Sequence, residues 1–507
     1  MNTNQHQQKF RVALVNPLGM KHTQMPLPPF GLGSMAKFYR IHGLNREHVE
    51  IRIFDENVRK RQTQNDILEW KPKLIGIGTM SLTLSRATEL ALFLRSHIPD
   101  AFILGGGVHF QIRPDDGLKL GIFDAVCTSE GEEPLRALID LYCLGTRERT
   151  TLHHVPNLAW RDADGTPQKS MPWQLEDLDA MPLPDVADFD TRYYFAKRQF
   201  IPGVWAKSAS ILSSRGCPFQ CTFCFNSFHR GRVRYHSLDA VISQIILLRD
   251  RYGIRHICIA EDLFFMKRDR VRNFCERLLQ TEANIHWTCN VRPSVLQETD
   301  HELLALMKRS GCIQIACGFE SGSNEVLAKL KGHDATVIKN QRAIDMANKA
   351  GIRVFGYFMC GIPDETEEQM MQTVSFIERN FDKLSHFEYF IYTPFPGAEL
   401  SREVERQGLL EGVDIEDLAL SIFSQGTPRV FNRLVSAEKV LQIRRDLKRR
   451  VMEKYSWSKK IHWLISEGLD NPLRTVRRIS ETYSFKRGHN KHFKAIAPTE
   501  QNSMDTR

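Results

Sequence analysis

The sequence has no uninterrupted apolar run approaching the roughly 18 residues that a membrane-spanning helix needs. Its first residues, MNTNQHQQKF, lack the apolar core of a secretory leader. A soluble, cytoplasmic protein is therefore the expectation. Internal repeats beyond a strand–helix alternation are missing, as are low-complexity stretches, and the apolar content is too high for a wholly disordered chain. The paired Cys-x2-Cys halves typical of a structural zinc site are also missing. Most of the chain carries no excess of positive charge. The net charge is +9, yet residues Arg429 to Lys494 alone hold 18 Lys and Arg against 6 Asp and Glu, which leaves the remainder slightly acidic. No recognisable DNA- or RNA-binding module accompanies this basic segment, so nucleic acid is not an expected partner.

What is present is a globular composition. The 507 residues are 42% hydrophobic and 25% charged, enough for two to four domains with sizeable cores. Eleven cysteines without a leader read as reduced thiols. Eight of them (Cys127, Cys143, Cys258, Cys275, Cys289, Cys312, Cys317 and Cys360) are scattered, mostly in apolar stretches where cysteine acts as a small buried hydrophobe.

Short apolar runs at Val12–Val15, Ile51–Phe54, Leu74–Ile77, Ala101–Leu104 and Asp124–Cys127 alternate with helical patterns near 30–42, 62–70, 83–97 and 132–144. This alternation predicts a doubly wound parallel sheet over residues 1–145. Residues 146–205 lack sustained periodicity, are rich in Asp and Pro, and read as a linker or wrapping segment. A second series over 206–425 has strand patterns at Ala209–Ser213, His256–Ile259, His286–Asn290, Gln314–Gly318, Arg353–Cys360 and Phe387–Thr393. Helical stretches separate them, one opening with the capping box Thr366-x-x-Gln369. Six such units predict a partial (β/α)6 barrel of TIM type. The fold class is thus α/β, with a basic helical segment over 426–507.

The remaining cysteines lie together in Arg215-Gly216-Cys217-Pro218-Phe219-Gln220-Cys221-Thr222-Phe223-Cys224, just after the first barrel strand pattern. Barrel active sites sit at that face. Three thiolates on one short loop point to a metal centre. A structural zinc ion would need a fourth, distant ligand, whereas a four-iron cluster held by three thiolates keeps one iron open for substrate or cosubstrate.

This loop resembles the signature of the radical S-adenosylmethionine superfamily, and the likeness extends over about residues 208–400. It implies that Cys217, Cys221 and Cys224 hold a four-iron, four-sulfur (4Fe-4S) cluster whose open iron chelates S-adenosyl-L-methionine, with Phe223 near the adenine. One electron from the cluster would cleave the sulfonium and release a 5′-deoxyadenosyl radical. Further motifs stand in the family's order. Glu261 and Asp262 follow the second strand, where the methionine amine is met, and Arg292 follows the third, in reach of the carboxylate. Glu320 and Ser321 end the fourth strand. Gly361 and Ile362 open the Gly-Ile-Pro-x-Glu-Thr turn after the fifth, and Tyr392 ends the sixth. Taken singly, such pairs are commonly helix caps or surface ion pairs. The ordered set carries the resemblance.

A doubly wound domain ahead of such a barrel resembles the cobalamin-binding, Rossmann-like domain of cobalamin-dependent radical S-adenosylmethionine enzymes. The implied cobalamin contacts are Ser81 and Thr83, the loop Gly105, Gly106, Gly107 with His109, and Glu130, Gly131 and Glu132. Glycines let the backbone approach a flat corrin, and small hydroxyls bond its tail. The chain departs from the pattern in one respect. Asn16-Pro17-Leu18-Gly19-Met20-Lys21-His22 does not have the Asp-x-His-x-x-Gly spacing that supplies a lower cobalt ligand, so a cobalt with no protein imidazole below it is expected.

The function implied is methylation of an unactivated carbon of a small-molecule or lipid-like substrate, through the 5′-deoxyadenosyl radical and methylcobalamin, with a flavodoxin- or ferredoxin-type electron donor. Oxidative ring formation with the same cofactors is the alternative, and a non-catalytic corrin-binding or sensing module is a third reading. In the C-terminal segment, Trp457, Ile461, Trp463, Leu464 and Ile465 interleave with Lys459 and Lys460. Either a helix covering the open barrel or peripheral membrane contact would suit that pattern.

Overall fold

The computed structural model describes residues 9–18, 27–59, 62–119, 121–146, 148–181, 183–201, 204–225, 232–413, 418 and 429–454. The first sheet starts from the runs that the apolar pattern marks. Strands β1 (Phe10–Asn16), β2 (Val49–Asp55), β3 (Leu74–Gly78), β4 (Phe102–Gly106) and β5 (Ala125–Cys127) lie in the order β2-β1-β3-β4-β5, all parallel. Val12 to Val15 are all buried. A central parallel strand is covered on both faces by helices, so its residues read as a continuous apolar run and not an alternating one. Helices Phe30–His42, Thr63–Trp70 and Leu84–His97 supply the cover. With β2 and β3 on either side of β1, the winding direction reverses there. A crevice opens at such a switch point, outside the carboxyl ends of the strands.

The segment 146–205 is more structured than its irregular pattern suggests. Strands β6 (Leu158–Arg161) and β7 (Pro167–Lys169) extend the first sheet antiparallel, and β8 (Lys197–Ile201) pairs antiparallel with β9 (Val204–Ile211) of the second sheet. Strands of three to five residues are too short to show a period.

The second sheet runs β16-β15-β14-β13-β12-β9-β8. Strands β12 (His256–Ile259), β13 (His286–Val291), β14 (Cys312–Glu320), β15 (Arg353–Cys360) and β16 (His386–Ile391) join β9 as six parallel strands. The first strand begins five residues earlier than its apolar pattern and ends at Ile211, short of Ser213. Between β9 and β12 a two-stranded ribbon, β10 (Ser214–Arg215) with β11 (Arg234–Tyr235), brackets the cysteine loop. The capping box forms as expected. Gln369 N donates to Thr366 Oγ1 at 3.2 Å and Thr366 N to Gln369 Oε1 at 3.0 Å.

Part of the basic C-terminal segment is a structural element of the barrel. Helix Ala437–Lys454 buries Val440, Ile443, Leu447 and Val451, one stripe at helical spacing. Arg444 Nε donates to Tyr389 O at 2.9 Å, and Arg450 pairs with Glu378 at 3.1 Å. At about 1.5–3 kcal/mol for each fully buried side chain of this size, the stripe anchors the helix. Residues 455–507, with Trp457 to Ile465, lie outside the described residues. Among the described residues no helix is long and apolar enough to cross a membrane.

Candidate active site between the two parallel sheets

The cysteine loop is held from several sides. Gly216 has φ +95°, and a Cβ there would stand 3.0 Å from Arg232 O, so the turn into the loop favours glycine. Thr222 N donates to Leu330 O at 2.9 Å, Leu400 N to Thr222 O at 2.8 Å, and Cys224 N to Cys221 O at 3.0 Å. Phe223 packs with Ile362, Tyr392, Leu400 and Phe431 in one apolar cluster. The loop therefore rests on the ends of the fourth, fifth and sixth parallel strands. Cys217, Cys221 and Cys224 are unbridged and part-exposed.

Arg292 joins this group. Its Nη1 lies 3.0 Å from Cys221 Sγ, its guanidinium stacks 4.0 Å from the Phe219 ring centroid, and Nη2 donates to Lys331 O at 2.9 Å. Burial pushes the Cys217 thiol above its ordinary pKa, Asp262 and Cys221 add to this, and Arg292 opposes it. Among the described residues no three His, Cys, Asp or Glu side chains close on a single ion. Three part-exposed thiols beside a cation suit a cluster, in which each thiolate takes its own iron.

The other barrel positions divide. Asp262 is exposed and faces Cys217 electrostatically. Glu261 is buried, with Ser213 N and Oγ donating to its Oε2 at 2.8 and 2.7 Å, while its Oε1 has no partner. Glu320 has φ +60° and pairs with Lys331 at 3.0 Å. Ser321 is buried against Thr373 Oγ1 at 3.0 Å, so its hydroxyl serves the turn into the next helix. Gly361 has φ +68°, and Ile362 N donates to Glu365 Oε2 at 3.2 Å.

In the first domain the loops after β3 and β4 interlock. Thr79 N donates to Gly106 O at 2.7 Å, His109 N to Thr79 O at 3.1 Å, and Ser81 Oγ meets His109 Nδ1 at 3.0 Å. His109 is fully buried, and burial lowers its pKa, with Asp116 opposing. The Thr79 hydroxyl is buried without a partner, an orphaned polar atom beside the glycine loop. Thr83 Oγ1 accepts from Met80 N at 3.0 Å and is used in that turn. Small residues, a buried imidazole and an unsatisfied hydroxyl at the switch-point crevice fit a corrin and its tail. Met20 to His22 lie outside the described residues.

Glu130 and Glu132 are spent differently from the expectation. Both Glu130 oxygens accept from Arg234, Oε2 at 3.0 Å, and Glu132 Oε1 accepts from Arg215 at 2.7 Å. Both carboxylates are committed to arginines that flank the cysteine loop, and Gly131 packs on Met35. Arg215, Arg234, Phe219 and Thr79 are the residues that motif reading passes over. Arg215 adjoins the motif, but nothing in its surroundings in sequence shows its partner 83 residues away.

The B12 binding domain family matches residues 19–139 and the Radical SAM superfamily residues 211–377, together more than half of the chain. The chain thus carries a B12 binding domain followed by a radical SAM domain, the two-domain order of the cobalamin-dependent radical S-adenosylmethionine enzymes. It is 29% identical over 380 residues to an uncharacterized methyltransferase of Pyrococcus horikoshii (74% of this chain, 77% of that one). Identity is 27% over 434 residues to the cytidylyl-2-hydroxyethylphosphonate methyltransferase of Streptomyces wedmorensis (78% and 79%). It is 24% over 386 residues to the anaerobic magnesium-protoporphyrin IX monomethyl ester cyclase of Rubrivivax gelatinosus (74% and 66%). In fold it resembles the cobalamin-dependent S-adenosylmethionine radical enzyme OxsB, with TM-score 0.61 and 20% identity; the match covers 81% of this chain and 56% of OxsB, little more than half of that longer protein. It also resembles the radical S-adenosylmethionine methyltransferase TsrM of Kitasatospora setae, with TM-score 0.61 and 19% identity over 79% and 75%.

Proposed function

We propose that this radical S-adenosylmethionine enzyme methylates an unactivated carbon of a small-molecule or lipid-like substrate. The single observation that carries the reading is the placement of the thiol loop at the mouth of the six-stranded half-barrel, tied to the crevice side of the cobalamin-type domain by Arg215. Both cofactors would then face one space. Cys217, Cys221 and Cys224 would hold the cluster, and Arg292 and Asp262 would meet the methionine end of the cosubstrate. Phe223, Ile362 and Tyr392 would supply the apolar wall by the adenine. Thr79, Ser81, Gly105 to Gly107 and His109 would line the corrin side. Bound together, the groups supply a carbon radical and a transferable methyl group. The chain's own share is alignment and exclusion of water. A flavodoxin- or ferredoxin-type protein would deliver the electrons.

Ring formation by oxidation of the substrate radical is the second reading, supported by the cyclase relative. Anaerobic incubation of the reconstituted enzyme with methyl-deuterated S-adenosylmethionine and a reductant separates the two. Methylation yields both S-adenosylhomocysteine and 5′-deoxyadenosine. Oxidation yields 5′-deoxyadenosine alone, and that outcome would overturn the methyltransferase reading. Neither product, from protein with a full cluster, would leave the non-catalytic corrin module.

A further inference from the structure

We propose that Glu130 and Glu132, with Arg215 and Arg234, form a latch that sets how closely the cobalamin-type domain approaches the cysteine loop, and that they are positioning residues for methyl transfer across that gap. This rests on the methyltransferase reading and deepens it.

The ribbon β10–β11 brackets the loop, with Arg215 on one strand and Arg234 directly opposite. Arg215 reaches Glu132 at 2.7 Å and Glu130 at 3.5 Å, while Arg234 grips both oxygens of Glu130 and also donates to Leu175 O. Leu175 N in turn donates to Glu130 Oε2 at 3.2 Å. All four side chains are largely buried. Burial alone would raise the Glu130 pKa, but the hydrogen bond from Arg234 and the charges of Arg215 and Arg234 hold it below the ordinary range. For Arg215 burial works against the charge, and Glu132 and Glu130 together outweigh it. Further neighbours include His236, which lies by Asp179 at 3.4 Å, Met181, whose sulfur is 3.9 Å from Arg215, and the buried Cys127.

Rigidity makes the latch a distance-setting device. Only Gly216, in its left-handed conformation, separates Arg215 from Cys217. Glu130 lies in the short loop after β5, and Glu132 opens helix Glu132–Ala137. On the opposite side of the loop the domains also touch, where Gly397 packs on Ile112 and Arg113 lies 3.7 Å from Glu405. That second contact is apolar in one part and a long, solvent-exposed ion pair in the other, so it fixes no angle. The buried ion pairs, with their fixed hydrogen-bond directions, do fix one.

The test uses the full chain with isosteric changes, Glu132→Gln alone and Glu130→Gln/Glu132→Gln together, so that a folding failure of the double variant leaves the single one to read. Hydrogen exchange on the cofactor-free protein reports the latch itself. Exchange at Leu175 and in the ribbon strands Ser214–Arg215 and Arg234–Tyr235 should rise at least about tenfold, with strands β14 and β15 unchanged; an unaltered ribbon overturns the proposal. With cluster and cobalamin loaded, S-adenosylhomocysteine per bound cobalamin should fall about tenfold or more while 5′-deoxyadenosine, which needs only the barrel, stays within about twofold of wild type. A parallel fall of both products, or no fall in either, would mean the pairs are merely structural. If wild type makes no S-adenosylhomocysteine, the methyltransferase reading fails instead, and the exchange result alone decides the latch.

Discussion

Replacing Gly107 by alanine tests the first domain's crevice with one methyl group. Gly107 has φ +92° and ψ 177°, a region essentially reserved for glycine, and a Cβ there would stand 2.5 Å from Thr79 O and 2.6 Å from Thr79 N. Both are backbone atoms and cannot rotate away. The strained backbone costs about 1–3 kcal/mol. Separating the loops weakens two hydrogen bonds, Thr79 N to Gly106 O and His109 N to Thr79 O, at roughly 1 kcal/mol each. The total is about 4 kcal/mol, against the 5–15 kcal/mol that typically holds a domain folded. At roughly 2–4 °C per kcal/mol, Tm of this domain should drop by about 8–16 °C. Gly106→Ala is the control, because its Cβ would find no atom closer than 3.9 Å. Calorimetry follows stability, and gel filtration with added hydroxocobalamin follows retention of the corrin. Gly107→Ala should lose retention while iron per chain, set by the barrel, is unchanged. Equal stability and retention in Gly107→Ala and wild type would refute the reasoning.

Three further outcomes are expected. Cys221→Ala should abolish the cluster's visible absorbance and leave far-ultraviolet circular dichroism intact; a full cluster in the variant would sink the ligand assignment. Two buried groups should tilt stability with pH in opposite directions, read by denaturant midpoints. Burial lowers the His256 pKa to about 3, so the unfolded chain takes the proton first and stability is lost as pH falls from about 6.5, by up to about 1.4 kcal/mol per unit. Burial raises the Glu365 pKa to about 8, so stability is lost as pH rises from about 4.5 towards 8. His256→Gln and Glu365→Gln should each flatten their own limb, and unchanged slopes would contradict the assignments. Ending the chain after Lys454 keeps the helix that covers the barrel. If the remaining basic segment meets membranes, the shortened protein should lose flotation with anionic vesicles that the full chain shows, and equal flotation would dismiss that role.

The strands were legible where burial is two-sided. Val12–Val15 and Leu74–Ile77 stand out as apolar runs because these parallel strands are covered on both faces. The capping box at Thr366 was legible because it is a local contact three residues long. Strands β6 to β8 were not, since short antiparallel pieces owe their pairing to a neighbour and not to their own pattern. The thiol loop, its spacing and its place after a barrel strand also follow from local sequence.

The sequence by itself therefore determined the order of the two parallel sheets, the cysteine loop and the chemistry its thiols imply. All of these depend on residue types at short separations. Only the tertiary structure decided what the acidic pair after β5 does. Glu130-Gly131-Glu132 has the composition of a cofactor loop, yet its carboxylates meet Arg234 and Arg215, 104 and 83 residues downstream. The physical reason is that burying a carboxylate demands a partner, and which cation arrives is a matter of how two domains pack. The same holds for the basic C-terminal segment. Its charge is visible in the sequence, but that Val440, Ile443, Leu447 and Val451 press one stretch of it onto the barrel is a fact of packing.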